Sequence, residues 1–247
     1  MNQTLGIIAG SGALDLFDIL EARSLETPWG MPSAPPARVS LGPGDAWMLA
    51  RHGRPHRIPP HRVDYRANIA AMAELGVTQI VALNAVGSID PALRPGALVV
   101  PDQLIDYTWG RAHSFSDSAE ERLEHIEFAE PFSAAVREML ITAAARADVA
   151  IHDGGCYGVT QGPRLETAAE IRRLAGDGCT LVGMTAMPEA SLAREAGVAY
   201  ASLCVVANPA AGLAEVPISV EEIHAVLAAA MNRVGALLGA LGHEYGS

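Results

Sequence analysis

The sequence predicts an α/β fold: one domain, with a mixed central β-sheet flanked by helices. Three observations predict it. Short continuous apolar runs alternate with helical segments along the 247 residues, as expected of strands covered on both faces. Several of those runs end in Gly, Ser, Asn or Thr, the residues of tight turns. Half the residues are hydrophobic, enough for a sizeable core, and no internal repeat or low-complexity linker divides residues 1–247.

The elements follow in order. Residues 5–9 are an apolar run emptying into Gly10-Ser11-Gly12, a buried strand and a tight turn. Residues 14–20 suit a helical turn or two. Residues 27–44 hold five prolines and read as loop, with a strand at 37–41. Residues 46–50 form a strand, followed by a polar loop to about Val63. A helix over 68–75 is stopped by Gly76. A buried strand at 79–83 then ends in the loop Asn84-Ala85-Val86-Gly87-Ser88, and residues 98–100 form a strand closed by Pro101-Asp102. Residues 110–127 are charged and aperiodic, which predicts a surface loop. Helices are expected at 131–147, 167–174, 187–195 and 220–241, and strands at 152–159, 181–185 and 199–206.

Charge excludes several functions. The net charge is −11, from 17 basic and 28 acidic residues, which argues against nucleic acid as a partner. Every basic residue is Arg, so a Schiff-base lysine, a pyridoxal-phosphate anchor and a P-loop lysine are excluded. The three cysteines are too scattered for a disulfide framework. No basic leader opens the chain and no apolar run reaches the ~18 residues of a membrane span. A cytoplasmic enzyme, with no membrane partner, is the expectation.

Five constellations carry chemistry. Gly10-Ser11-Gly12 suits an anion held on backbone N–H groups, or a plain turn. It lacks the spacing of a dinucleotide fingerprint. Arg51-His52-Gly53-Arg54-Pro55-His56 gathers two arginines and two histidines at a strand end, which favours a phosphate or carboxylate over a solvated loop. Gly53 and Pro55 spoil the helix that would align His52 with His56 on a metal, so no metal site is expected. The small residues of 84–88 fit backbone approach to a ligand or a simple turn. Glu166, in Gly162-Pro163-Arg164-Leu165-Glu166-Thr167, stands at a helix start, as a ligand or as a capping acid. Asn208 ends a buried strand with an acceptor and a donor side by side, fit for a base edge or for an Asx turn.

The same residues resemble the purine nucleoside phosphorylase and methylthioadenosine phosphorylase family from Gly6 to about Leu227. The matching blocks include GIIAGSG (6–12), ARHGRPH (50–56), PGALVVPDQLIDYT (95–108), AEPF (129–132), GPRLETAAE (162–170), VGMTAMPEASLAREAG (182–197) and YASLCVVAN (200–208). The resemblance implies the nucleoside phosphorylase fold, a homotrimer, and phosphorolysis of a purine N-glycosidic bond. Phosphate is then a co-substrate and no cofactor is needed. By position, Ser11, Arg51, His52, the Ala85 N–H and Thr185 would hold phosphate. Met184 would lie on the ribose, Leu165 would contact the substrate, and His56 would stand near phosphate and sugar. His125 would reach a neighbouring subunit's 5′ pocket.

Departures within the family set the expected substrate. The resemblance assigns Asp-x-Asp to 6-aminopurine enzymes where this chain has Asn208-Pro209-Ala210, and assigns Asn with a Glu after Gly-Pro to 6-oxopurine enzymes. Asn208 and Glu166 supply both. A 6-oxopurine offers O6 as acceptor and N1–H as donor, matching an Asn donor and a Glu acceptor. At the 5′ end, Val220, with Ile223 one turn on, stands where inosine phosphorylases place a histidine, so apolar walls suited to a methylthio group are expected. His224 is the neighbouring alternative. The combination implies a 5′-methylthio 6-oxopurine nucleoside, S-methyl-5′-thioinosine. The alternatives are methylthioadenosine, inosine or guanosine, and hydrolysis without phosphate.

Overall fold

The computed structural model describes residues 3–13, 16–116, 125–214 and 219–245. Eleven strands form one mixed sheet: β1 (Leu5–Ala9), β2 (Ile19–Ala22), β3 (Ala37–Ser40), β4 (Asp45–Ala50), β5 (Gln79–Ser88), β6 (Leu98–Val100), β7 (Gln103–Asp106), β8 (His152–Asp153), β9 (Cys156–Val159), β10 (Leu181–Gly183) and β11 (Ala199–Pro209). The helices are α1 (Tyr65–Glu74), α2 (Ala134–Arg146), α3 (Ala168–Gly176), α4 (Ala186–Glu195) and α5 (Val220–Leu241).

The apolar runs are continuous because both faces of the sheet are covered. Along β1, Leu5, Ile7 and Ala9 join the core under α2 and α5, while Ile8 joins the core under α1 and α4. The sheet edge β2-β3-β4 leads to β1, then β5. β5 pairs in parallel with β1 on one flank and β11 on the other. On the first flank β1 pairs as far as Ala82, and antiparallel β10 joins only at Gly87 and Ser88. Residues 83–86 thus run beside no strand on that flank among the described residues. This split opens the sheet at the ends of its central strands, where α/β sheets bind ligands.

Several expectations change. Ile19–Ala22 is an exposed edge strand paired with β3, not a helical turn. Residues 14 and 15 of that expected turn lie outside the described residues. Residues 84–88 are strand rather than loop, because β11 pairs with β5 along its whole length. The single strand expected at 152–159 is two, since Gly154 and Gly155 both adopt positive φ. The strand at 98–100 ends before Pro101-Asp102 as expected, and a further strand, β7, follows that pair. Helix α5 is long and apolar enough to cross a membrane by length and composition alone. Its apolar stripe, Leu227, Ala230, Val234, Leu237, Leu238 and Leu241, is buried, which makes it a core helix of this fold.

Candidate active site

A cavity at the split in the sheet collects most of the residues singled out in the sequence. Ser11, Arg51, His52, His56, Ala85, Leu165, Glu166, Met184, Thr185, Asn208 and Ile223 line it. They come from the ends of β1, β4, β5, β10 and β11, the segment before α3, and the first turn of α5.

The anion end is built on Arg51, which is 1% exposed. Its Nε and Nη2 donate to the two carboxylate oxygens of Glu189, at 2.7 and 2.8 Å, and Nη1 donates to the Leu83 carbonyl at 3.0 Å. Leu83 lies in the strandless stretch of β5, so its carbonyl is open to a side chain. Tyr200 also donates to Glu189 Oε1, at 2.9 Å, a second bond on the oxygen that accepts from Nη2. Burial opposes the arginine's charge, but Glu189 outweighs it and holds the guanidinium firmly protonated. Gly10 is required here: a Cβ would stand 2.9 Å from Arg51 Nη1 and closer still to the Leu83 carbonyl. Asn84 Nδ2 donates to Thr185 Oγ1 at 2.8 Å, so the Thr185 hydroxyl proton is directed to another acceptor. An anion in the cavity meets that need.

His52 departs from a simple cationic donor. Its Nδ1 donates to the Ile58 carbonyl at 2.8 Å. Burial, then Arg51, pushes its pKa down to about 3. The ring is therefore neutral near pH 7 and presents Nε2 as an acceptor, which suits a protonated phosphate oxygen. His56 stacks on it at 4.4 Å between centroids. Burial, then His224 and Arg51, lowers its pKa also. The unfolded chain takes up a proton at His52 near pH 6.5, well above the folded value. The native state therefore loses stability as pH falls from about 6.5 toward 3, at ~1.4 kcal/mol per unit. In phosphate-free buffer, His52→Asn is expected to flatten the fall in Tm over that range. An unchanged slope rejects a neutral His52.

Glu166 and Asn208 line another part of the cavity. Glu166 does not cap α3. Thr167 is the N-cap, and its capping box with Glu170 satisfies the helix start. Glu166 instead accepts a hydrogen bond from Thr160 Oγ1 at 2.6 Å. Asn208 follows a bulge in β11, where pairing jumps from Val206 to Asn208; the extra residue re-aims the strand end into the cavity. Its Nδ2 donates to the Pro209 carbonyl at 2.6 Å, leaving a second amide hydrogen and the carbonyl for a ligand. A Cβ on Gly87 would lie 3.5 Å from this amide, so the glycine keeps the wall low.

Ile223, in the first turn of α5, lines the cavity too. Val220 does not; it is 60% exposed at the start of α5, one turn beyond the inward-facing residue. His224 is exposed and also outside the lining. His125 is exposed and does not line this chain's cavity.

Two important residues escaped the sequence reading. Glu189 is a carboxylate among small and apolar neighbours, a pattern that itself demands a buried partner. Arg111 falls in the segment expected to be surface loop, yet it is 8% exposed. It donates to the carbonyls of Met184 (2.9 Å), Met187 (2.6 Å), Thr160 (3.3 Å) and Gln161 (2.8 Å). It thereby ties Thr160 and Gln161 to the segment carrying Met184 and Thr185. Nothing in a charged, aperiodic stretch marks which cation turns inward.

Residues 4–241 match the family model of the phosphorylase superfamily. A probable S-methyl-5′-thioinosine phosphorylase of Xanthomonas campestris is 47% identical over 96% of this chain and 96% of its own length. The 6-oxopurine nucleoside phosphorylase of Pyrococcus furiosus is 43% identical over 85% of this chain and 80% of its own. Among solved structures, methylthioadenosine phosphorylase from Schistosoma mansoni in complex with adenine superposes with a TM-score of 0.91 at 35% identity, covering 97% of this chain and 91% of that one. By this match over most of its length and these relatives, the chain belongs to the phosphorylase superfamily and is a nucleoside phosphorylase.

Proposed function

We propose that the enzyme cleaves S-methyl-5′-thioinosine with inorganic phosphate, giving hypoxanthine and 5-methylthioribose 1-phosphate in purine salvage. The observation that carries this reading is the pairing of Glu166 with Asn208 in one cavity whose sugar end meets Ile223. An ionised Glu166 accepts from N1–H of a 6-oxopurine but opposes the lone pair on N1 of adenine. Asn208 donates to O6 and accepts from a protonated N7, so the base departs neutral. Ile223 offers the methylthio group an apolar wall and the 5′-hydroxyl no partner.

The reaction is dissociative in this reading. The C1′–N9 bond stretches first, leaving positive charge on the ribosyl. Phosphate, fixed by Arg51, His52, Ser11, Thr185 and the Ala85 N–H, waits beneath C1′ and stabilises that charge. Met184 lies on the ribose, with Leu165 beside the base and His56 near the phosphate. Positioning supplies most of the rate. Phosphate is a co-substrate, and the chemistry calls on no other cofactor.

The test is kcat/KM for methylthioinosine, methylthioadenosine and inosine, each with and without phosphate. Expected is a preference for methylthioinosine of at least ~10-fold, within the reach of a buried hydrogen-bond mismatch, and no product without phosphate. Preference for methylthioadenosine overturns the roles of Glu166 and Asn208. Preference for inosine overturns that of Ile223. Release without phosphate makes the enzyme a nucleosidase. We further propose a cytoplasmic homotrimer in which His125 reaches a neighbour's 5′ pocket; a fully active monomer in sedimentation rejects it.

A further inference from the structure

Behind Glu166 lies a second cavity, lined among others by Thr160, Gln161, Tyr107 and Trp109. Glu166 borders both cavities, whereas Thr160 borders only the second. Thr160 thus stands behind the carboxylate, away from substrate. Its backbone is held on both sides: its N–H donates to the Gly183 carbonyl at 2.7 Å, and its own carbonyl accepts from Arg111 Nη2 at 3.3 Å. A β-branched side chain on a fixed backbone has few rotamers. The hydroxyl is 2.6 Å from Glu166 Oε1 and 3.3 Å from the Gly183 carbonyl. The shorter contact is a charge-assisted hydrogen bond, the stronger kind.

We propose that Thr160 is a specificity-positioning residue, which occupies Oε1 of Glu166 and turns Oε2 to the purine N1 position. The inference rests on the reading of Glu166 given above and extends it to a residue that never touches the base. A glutamate has three rotatable bonds, and Glu166 precedes the N-cap of α3 rather than lying in the helix. Without an anchor its carboxylate can swing from the base and tolerate either purine. With Oε1 tied to Thr160, one acceptor points at N1, and only a base carrying N1–H satisfies it. Discrimination between oxo and amino purines then depends on a hydroxyl in the second cavity.

The test compares kcat/KM for methylthioinosine and methylthioadenosine in the parent enzyme, Thr160→Val, Thr160→Ser and Glu166→Gln. Valine keeps the shape and removes the hydroxyl. The expected result is a fall of at least ~10-fold in the methylthioinosine preference with Thr160→Val, the size of one good hydrogen bond to a charged group. The loss should fall on methylthioinosine, the phosphate KM should stay put, and Thr160→Ser should restore the preference. A residue that merely supports the fold would weaken both substrates alike. If Glu166→Gln collapses the preference and Thr160→Val stays within threefold of the parent, the proposal for Thr160 is overturned and Glu166 stands. If Glu166→Gln also leaves the preference intact, the reading of Glu166 itself fails. Should Thr160→Val not fold, Thr160→Ser against Thr160→Ala carries the same comparison.

Discussion

Asn208→Ala is expected to lower kcat for methylthioinosine phosphorolysis by about 10²–10³, the range for removing one preorganised donor aimed at developing charge. The effect belongs in kcat because protonated N7 exists only as the glycosidic bond breaks. The unliganded geometry adds a detail. One amide hydrogen is already given to the Pro209 carbonyl, so the side chain is held against the strand end before substrate arrives. Removing it costs orientation as well as contact. Stability should change little, since Asn208 is only half-buried. Single-turnover kinetics separates the chemical step from product release. A loss below threefold rejects the role.

The second large effect falls on a residue outside the reaction. Glu189→Ala should destabilise the protein by about 3–5 kcal/mol, the cost of leaving a buried charge without its partner. Arg51 is 1% exposed and Glu189 fully buried, so water cannot replace the carboxylate. The Leu83 carbonyl would be the one remaining acceptor that now bonds the guanidinium. Phosphate should partly rescue the variant by supplying the missing negative charge. Saturating phosphate should therefore raise its Tm more than it raises the parent's. Denaturant unfolding with and without phosphate checks both statements. Stability within 0.5 kcal/mol of the parent, on the ordinary surface scale, rejects the buttress.

Local chemistry in the sequence carried much of this site. Strand ends were marked by glycines, and α5 spans residues 220–241 as expected because its apolar stripe repeats at helical spacing. Arg51, Glu166 and Asn208 could be found because each stands beside a turn or a motif. What stayed hidden depends on partners distant in the chain. Glu189 has meaning only against Arg51, 138 positions away. Residues 84–88 became strand because β11 supplied a partner along them. Val220 and Ile223 could not be separated by periodicity, for both fall near the same helical face; only Ile223 lines the cavity. The capping role of Glu166 is excluded by Thr167 and Glu170, which cap α3 by themselves.

Arg111 holds four main-chain carbonyls, and at Met184 and Met187 it constrains where the backbone runs, not which side chain stands there; Gln161 is held by its side chain as well. That division has an evolutionary consequence. Residues at 184 and 187 can be exchanged without breaking the clamp on their carbonyls. Pocket walls can then drift between purines and between sugar substituents while the frame stays in register. An enzyme so built can acquire a new substrate by few substitutions, provided the arginine is kept.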